Sequence, residues 1–190
     1  MIGGGSTMAT LEEHFRSMAR NNRWSNHRLH GACARLGELE ARRDCGAFFR
    51  SIHGTLNHIL LIDRWYLGRL QGRELAWTSH AEELYRERAP LARAQADSDR
   101  ELISFCDALE AGDLEREVET GAPGHRYRDP VHAVLAHLFL HQIHHRGQVH
   151  QMLSSAGVEP PQLDEFLLSG DEPLRREELE RLHLGSRRPR

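Results

Sequence analysis

Residues 134–152 read VLAHLFLHQIHHRGQVHQM, and Val134, Leu138, His141, His145, Gln148 and Met152 step through them by four, three, four, three and four. That rhythm is the core-facing seam of an amphipathic helix. Apolar side chains hold both ends of the seam and imidazoles hold its middle. A polar ring buried in such a stripe is costly unless something binds it. Two histidines at i and i+4 project side by side, so a transition metal is the partner that best explains the pattern.

The helix bearing this seam starts near Pro130 and ends at Gly157, with Pro160 and Pro161 enforcing the stop. Upstream, periodicity marks three more helical segments. The first runs from Leu11 to Leu36 with Leu11, Phe15, Met18, Asn22, Ser25, Leu29, Ala32 and Leu36 on one seam, and Thr10 with Glu13 forms a capping box. The second runs from Ala47 to Leu70, burying Phe48, Ile52, Ile59, Ile62 and Tyr66; a linker with Trp77 and Thr78 follows. The third centres on Leu91 to Leu109, with Pro90 in its first turn. Between Leu114 and Asp129 the helical pattern breaks at Gly121, Pro123 and Gly124, where Glu117–Thr120 and His125–Arg128 are predicted to pair as a short hairpin. The expected fold is therefore all-α, a four-helix bundle with a short β-hairpin between the third and fourth helices.

At 190 residues the chain suits one domain. Met1 to Thr7 reads as a vector-derived leader, residues 8–168 as the bundle, and residues 169–190 as a charged tail that is disordered in part, Ser186 to Arg190 above all. A net charge of −3 gives no general attraction to nucleic acid or anionic lipid, and no apolar run suits a membrane span. All 25 basic residues are arginine, which excludes Schiff-base and P-loop lysine chemistry. Cys33, Cys45 and Cys106 form no CxxC motif, so a reduced cytoplasmic setting is expected.

Six of the 14 histidines fall between His132 and His150. His137, His141 and His145 lie within an arc of about 80°, and the last two coincide with the seam. A third ligand is expected from another helix. His58 borders the apolar face of the second helix, whereas His53 points about 140° away. The ligand set is thus His58, His141 and His145, suited to zinc, nickel, iron or copper. Gln148 lies one turn beyond His145 as a supporting group or as a helix-spanning hydrogen bonder. Asn22 and Ser25 either line the pocket or stitch the first helix to the fourth. Trp24 and Trp65 suit core packing, and Arg146 suits a clamp to Glu165 or Asp164. His137 and His144 are proton-shuttle candidates or solvated residues. Gln142 stands where an HExxH protease carries its glutamate, which disfavours that chemistry.

The run His141-Gln-Ile-His-His-Arg-Gly-Gln148 resembles the HxxxHRGQ helix of DinB/YfiT-like proteins. The likeness extends to Asn22–Asn26, to Ser51–His58 with Asp63-Arg-Trp65, and to Gly157–Pro161 with Leu163 and Asp164. It covers Leu11 to Leu168. The resemblance implies an up-down-down-up bundle, a divalent metal, often nickel or zinc, and a homodimer. Residue by residue it places the family's ligands on His58, His141 and His145, the trio reached from the seam. Relatives with known chemistry include thiol transferases using mycothiol or bacillithiol and a thiol-dependent maleylpyruvate isomerase. The expected function is accordingly a metal-dependent thiol transferase or related enzyme acting on a small molecule. A non-catalytic metal-binding stress module and a metal-dependent hydrolase are the alternatives.

Overall fold

The computed structural model describes residues 10–73, 79–121 and 124–185. The expectations for Met1 to Thr7, for Trp77 and Thr78, for Pro123 and for Ser186 to Arg190 fall outside the described residues. Four long helices form the bundle: α1 Leu11–Cys33, α3 Ile52–Leu70, α4 Arg88–Asp107 and α5 Val131–Ser155. The capping box of Thr10 and Glu13 opens α1. A one-and-a-half-turn helix, α2 Glu38–Arg42, lies in the first connection, and α6 Glu172–Arg181 follows the bundle.

Residue pairings fix the direction of each helix. Arg16 reaches the carbonyls of Cys106 and Leu109, while Arg88 reaches that of Cys33, so α1 and α4 are antiparallel. Phe15 stacks on Phe139, and Asn26 near the far end meets Arg146, so α1 and α5 run together. Leu67 and Leu70 share an apolar cluster with Val131 and Val134, and Leu56 shares another with Val149 and Leu153; α3 therefore opposes α5. The order is up-down-down-up. A hairpin bridges α4 and α5, with β1 Glu117–Thr120 pairing antiparallel to β2 Tyr127–Pro130. The second strand lies two residues later than His125–Arg128, because Gly121 and Gly124, both at positive φ, widen the turn. From β2 the chain passes directly into α5.

Phe48 departs from expectation. It is 84% exposed and precedes α3 rather than lying in it. Ser51 caps the helix, its hydroxyl accepting the Gly54 N–H at 3.1 Å, and Arg50 at φ 67° interrupts any continuation upstream. Beyond Leu168, a segment poor in apolar residues still folds onto α1. Trp24 donates to Glu178 at 2.8 Å, Arg28 donates to the same carboxylate at 2.7 Å, and Leu184 joins Phe166, just ahead of this segment, in covering the indole.

Between the two main apolar clusters lies a buried polar band to which all four bundle helices contribute. Asp99 accepts from Asn22, Asn26 and Gln95 at 3.1, 2.9 and 3.2 Å, and Asp63 accepts from Gln95 at 2.7 Å. Arg146 donates to Asn22, to Asn26 at 3.2 Å and to Gln142 at 3.1 Å. Its partners are these core amides rather than Glu165 or Asp164; Glu165 faces Arg28 at 3.8 Å instead. Side-chain angle on one helix could not reveal which acids the bundle buries.

Burial, then repulsion from Asp99, raises the Asp63 carboxyl to about 7, and burial raises Asp99 to about 6. A carboxyl raised on folding contributes stability that is full below its unfolded value near 3.9 and is lost as pH rises through the folded value. For Asp63 that loss runs from about pH 4 to 7. Urea unfolding of the native chain and of Asp63→Asn between pH 5 and 8 checks this. The native chain should lose ground to the variant as pH rises, with the gap levelling off above neutrality.

Candidate metal centre

The site grows from one helix face meeting another. On α5 the seam places His141 and His145 one turn apart, and on α3 His58 lies opposite them across the antiparallel interface. Ring centroids are 5.0 Å apart for His58 and His141, 4.7 Å for His58 and His145, and 4.4 Å for His141 and His145. One nitrogen from each ring lies within 4.8 Å of those of the other two. The Nε2 atoms of His58 and His141 are 3.0 Å apart.

Hydrogen bonds at the back of two rings select their tautomers. His58 Nδ1 donates to the His80 carbonyl at 2.8 Å, and His145 Nδ1 donates to Gln148 Oε1 at 2.7 Å. Each bond leaves Nε2 bare with its lone pair available, the usual arrangement behind a metal-ligating imidazole. His141 Nδ1 is buried without a hydrogen-bond partner among the described residues. Burial lowers the pKa of His58 to about 4 and that of His141 to about 3; neighbouring imidazoles add to both, and the His80 carbonyl offsets part of the first. Burial also lowers His145, partly offset by Gln148. All three rings are therefore neutral at physiological pH and have nitrogen lone pairs to offer a cation. The donor set fits a divalent transition metal.

A cavity of about 590 Å³ opens over the cluster. Phe48, Phe49, Ile62, Trp65 and Tyr66 form its apolar wall, and His137, His144 and Gln148 belong to its lining. His80 and Gly121 bring the two long connections to it. Phe49 stacks on His58 with centroids 3.8 Å apart and planes 19° from parallel.

The other expected residues divide clearly. Gln148 does support a site imidazole, and its amide also donates to His144 Nε2 at 3.1 Å. His137 lines the cavity beside Tyr66, with centroids 5.1 Å apart. Asn22 belongs to the buried polar band, and Ser25 donates to the Leu163 carbonyl at 3.4 Å; neither lines the cavity. Trp24 is core, whereas Trp65 is both buried and part of the cavity wall. His53 is buried elsewhere, its Nε2 donating to the Tyr85 carbonyl at 2.8 Å. Sequence reasoning missed Phe49 and the His80 carbonyl. The Phe48-Phe49 doublet just before the Ser51 cap was the available signal for the first; a backbone carbonyl leaves none.

Gly54 explains how Phe49 reaches its place. A Cβ there would overlap the Phe49 carbonyl oxygen, which crosses the first turn of α3. Gly54→Ala is expected to lower stability by about 1–3 kcal/mol through overpacking and to shift the NMR signals of the His58 ring as the stacked phenyl moves. An unchanged urea midpoint and unchanged imidazole signals would contradict this account.

The family model for DinB matches residues 8–176. No curated protein matches the chain.

Proposed function

The chain belongs to the DinB family, and on that premise we propose that it is a divalent-metal-dependent enzyme that joins a low-molecular-weight thiol to a small electrophile or isomerises a thiol adduct. His58, His141 and His145 are the ligands in this reading. One observation carries it: three neutral imidazoles converge at the floor of an open cavity. Three protein ligands with a position left free mark a catalytic rather than a structural site. The ion, zinc or nickel as the family resemblance implies, would supply a Lewis acid that lowers the pKa of a thiol brought to it.

The chain's own residues do the rest. Gln148 and the His80 carbonyl hold two rings with Nε2 forward, and burial keeps protons off those nitrogens. Phe49, Ile62 and Tyr66 limit water around the reacting sulfur and hold the electrophile against it. His144 and His137, on the cavity lining, are the groups placed to take up the released proton. Three free cysteines accord with a reducing cytoplasm. Among the described residues no helix is long and apolar enough to cross a membrane, and the partners proposed are small molecules and a second copy of the chain in a homodimer, not nucleic acid.

The test is thiol-dependent consumption of a model electrophile by protein purified without a nickel column and then loaded with zinc or nickel. Turnover should depend on both metal and thiol and fall to the uncatalysed background in His145→Ala. Equal rates for the native chain and the variant would overturn the proposal.

A further inference from the structure

The wall of the cavity above the three imidazoles carries no aspartate, glutamate or arginine among its described residues. Charged side chains make up 28% of the sequence, and at that frequency a lining of thirteen would hold about three or four. Aromatic residues show the opposite bias, since four of the chain's twelve Phe, Tyr and Trp residues line this one cavity. They come as two edge-to-face pairs. Phe48 and Phe49 precede α3 with centroids 4.9 Å apart, and Trp65 with Tyr66 lies on α3 itself, 4.8 Å apart.

Nearby charges are engaged with one another instead. Arg69 stands 5.1 Å from the Trp65 ring and pairs with Glu119 at 3.7 Å, and neither residue lines the cavity. An ammonium entering this wall would shed water without meeting an acidic partner among the described lining residues, and a divalent ion held by the three imidazoles would repel it, which is strongly unfavourable. A neutral ring would meet aromatic faces and edges at the spacings that such groups favour. Phe48 adds a second indication. It is a large aromatic side chain, 84% exposed, standing on the lining of a cavity whose volume suits a small ligand. Its exposed ring is apolar surface that a flat apolar ligand would cover.

We infer that the electrophile taken by this site is a molecule without positive charge that has an aromatic or similarly flat apolar body, selected by Phe48, Phe49, Ile62, Trp65 and Tyr66. Cationic analogues are rejected because no described residue of the wall is an acid that could pair with them. This rests on the metal-site reading for the reaction, but the selection itself belongs to the wall and is measured by binding.

Titration calorimetry of the zinc-loaded chain with 2-naphthamide and 2-naphthylmethylamine provides the test. The neutral amide should bind at least about 30-fold more tightly than the ammonium. Phe48→Ala, which removes an exposed side chain, should weaken amide binding about 10-fold while leaving the melting temperature unchanged. An ammonium analogue that binds as tightly as the amide, or a Phe48→Ala chain of native affinity, would overturn the inference. The two readings fail separately. A chain that takes up no zinc yet prefers the amide overturns the metal reading alone. One that takes up zinc without preferring the amide overturns only the selection by the wall.

Discussion

His145→Ala is expected to take the chain from one tightly held zinc or nickel ion to none detectable by elemental analysis after gel filtration. The three imidazole nitrogens lie within 4.8 Å of one another, and His145 is the ring whose tautomer Gln148 fixes. Removing one of three ligands leaves a pair that competes poorly with water. Stability reports the same loss. An ion present at about 1,000 times its dissociation constant adds about 4 kcal/mol to the folded state, and for a chain of this size that raises the melting temperature by about 10 °C. Added zinc should therefore shift the native chain upward and leave His145→Ala where it was. A variant that retains a full equivalent of metal would remove His145 from the ligand set.

Arg146→Met is expected to produce the largest loss of stability, about 3–5 kcal/mol, because it removes the cation from a buried group that contains two carboxylates. Arg146, Asp63 and Asp99 are all nearly inaccessible, at 4%, 3% and 2% exposure. Burial lowers the Arg146 pKa to about 10, and the two aspartates hold it up against a further fall. Without the guanidinium, each aspartate must take up a proton or remain buried and uncompensated. The penalty should accordingly be larger at pH 8 than at pH 5.5, and adding Asp63→Asn should restore part of it. Urea unfolding of the single and double variants at the two pH values measures both effects. A penalty that does not vary with pH, with no recovery in the double variant, would show that the band is not ionic in the way described.

Periodicity made much of the architecture legible. The seam from Val134 to Met152 marked the buried side of α5, and the arc around His58 marked the side of α3 that meets it. Helical angle reports which way a side chain faces on its own axis. It does not report what stands opposite. For that reason the sequence offers Arg146 only Glu165 or Asp164, whereas its surroundings come from Asn22, Asn26, Asp63 and Asp99 on three other helices. Asp63 and Asp99 give no local sign of burial, since carboxylates on amphipathic helices ordinarily face solvent. The Phe48 error has a different origin. Aromatic periodicity favoured continuing the helix upstream, and the Ser51 cap with the left-handed Arg50 overrode it.

Adjacent residues on α5 serve two distant duties: His141 and His145 face the cavity, and their immediate successors Gln142 and Arg146 face the buried polar band. Successive side chains on a helix are about 100° apart, so the helix behaves as a rigid spindle geared to both. Turning it to relax the core would carry the imidazoles off their common centre. Divergence in this protein is therefore constrained to travel in concert, with substitutions among the interior amides and acids tolerated only where the spindle keeps its angular setting.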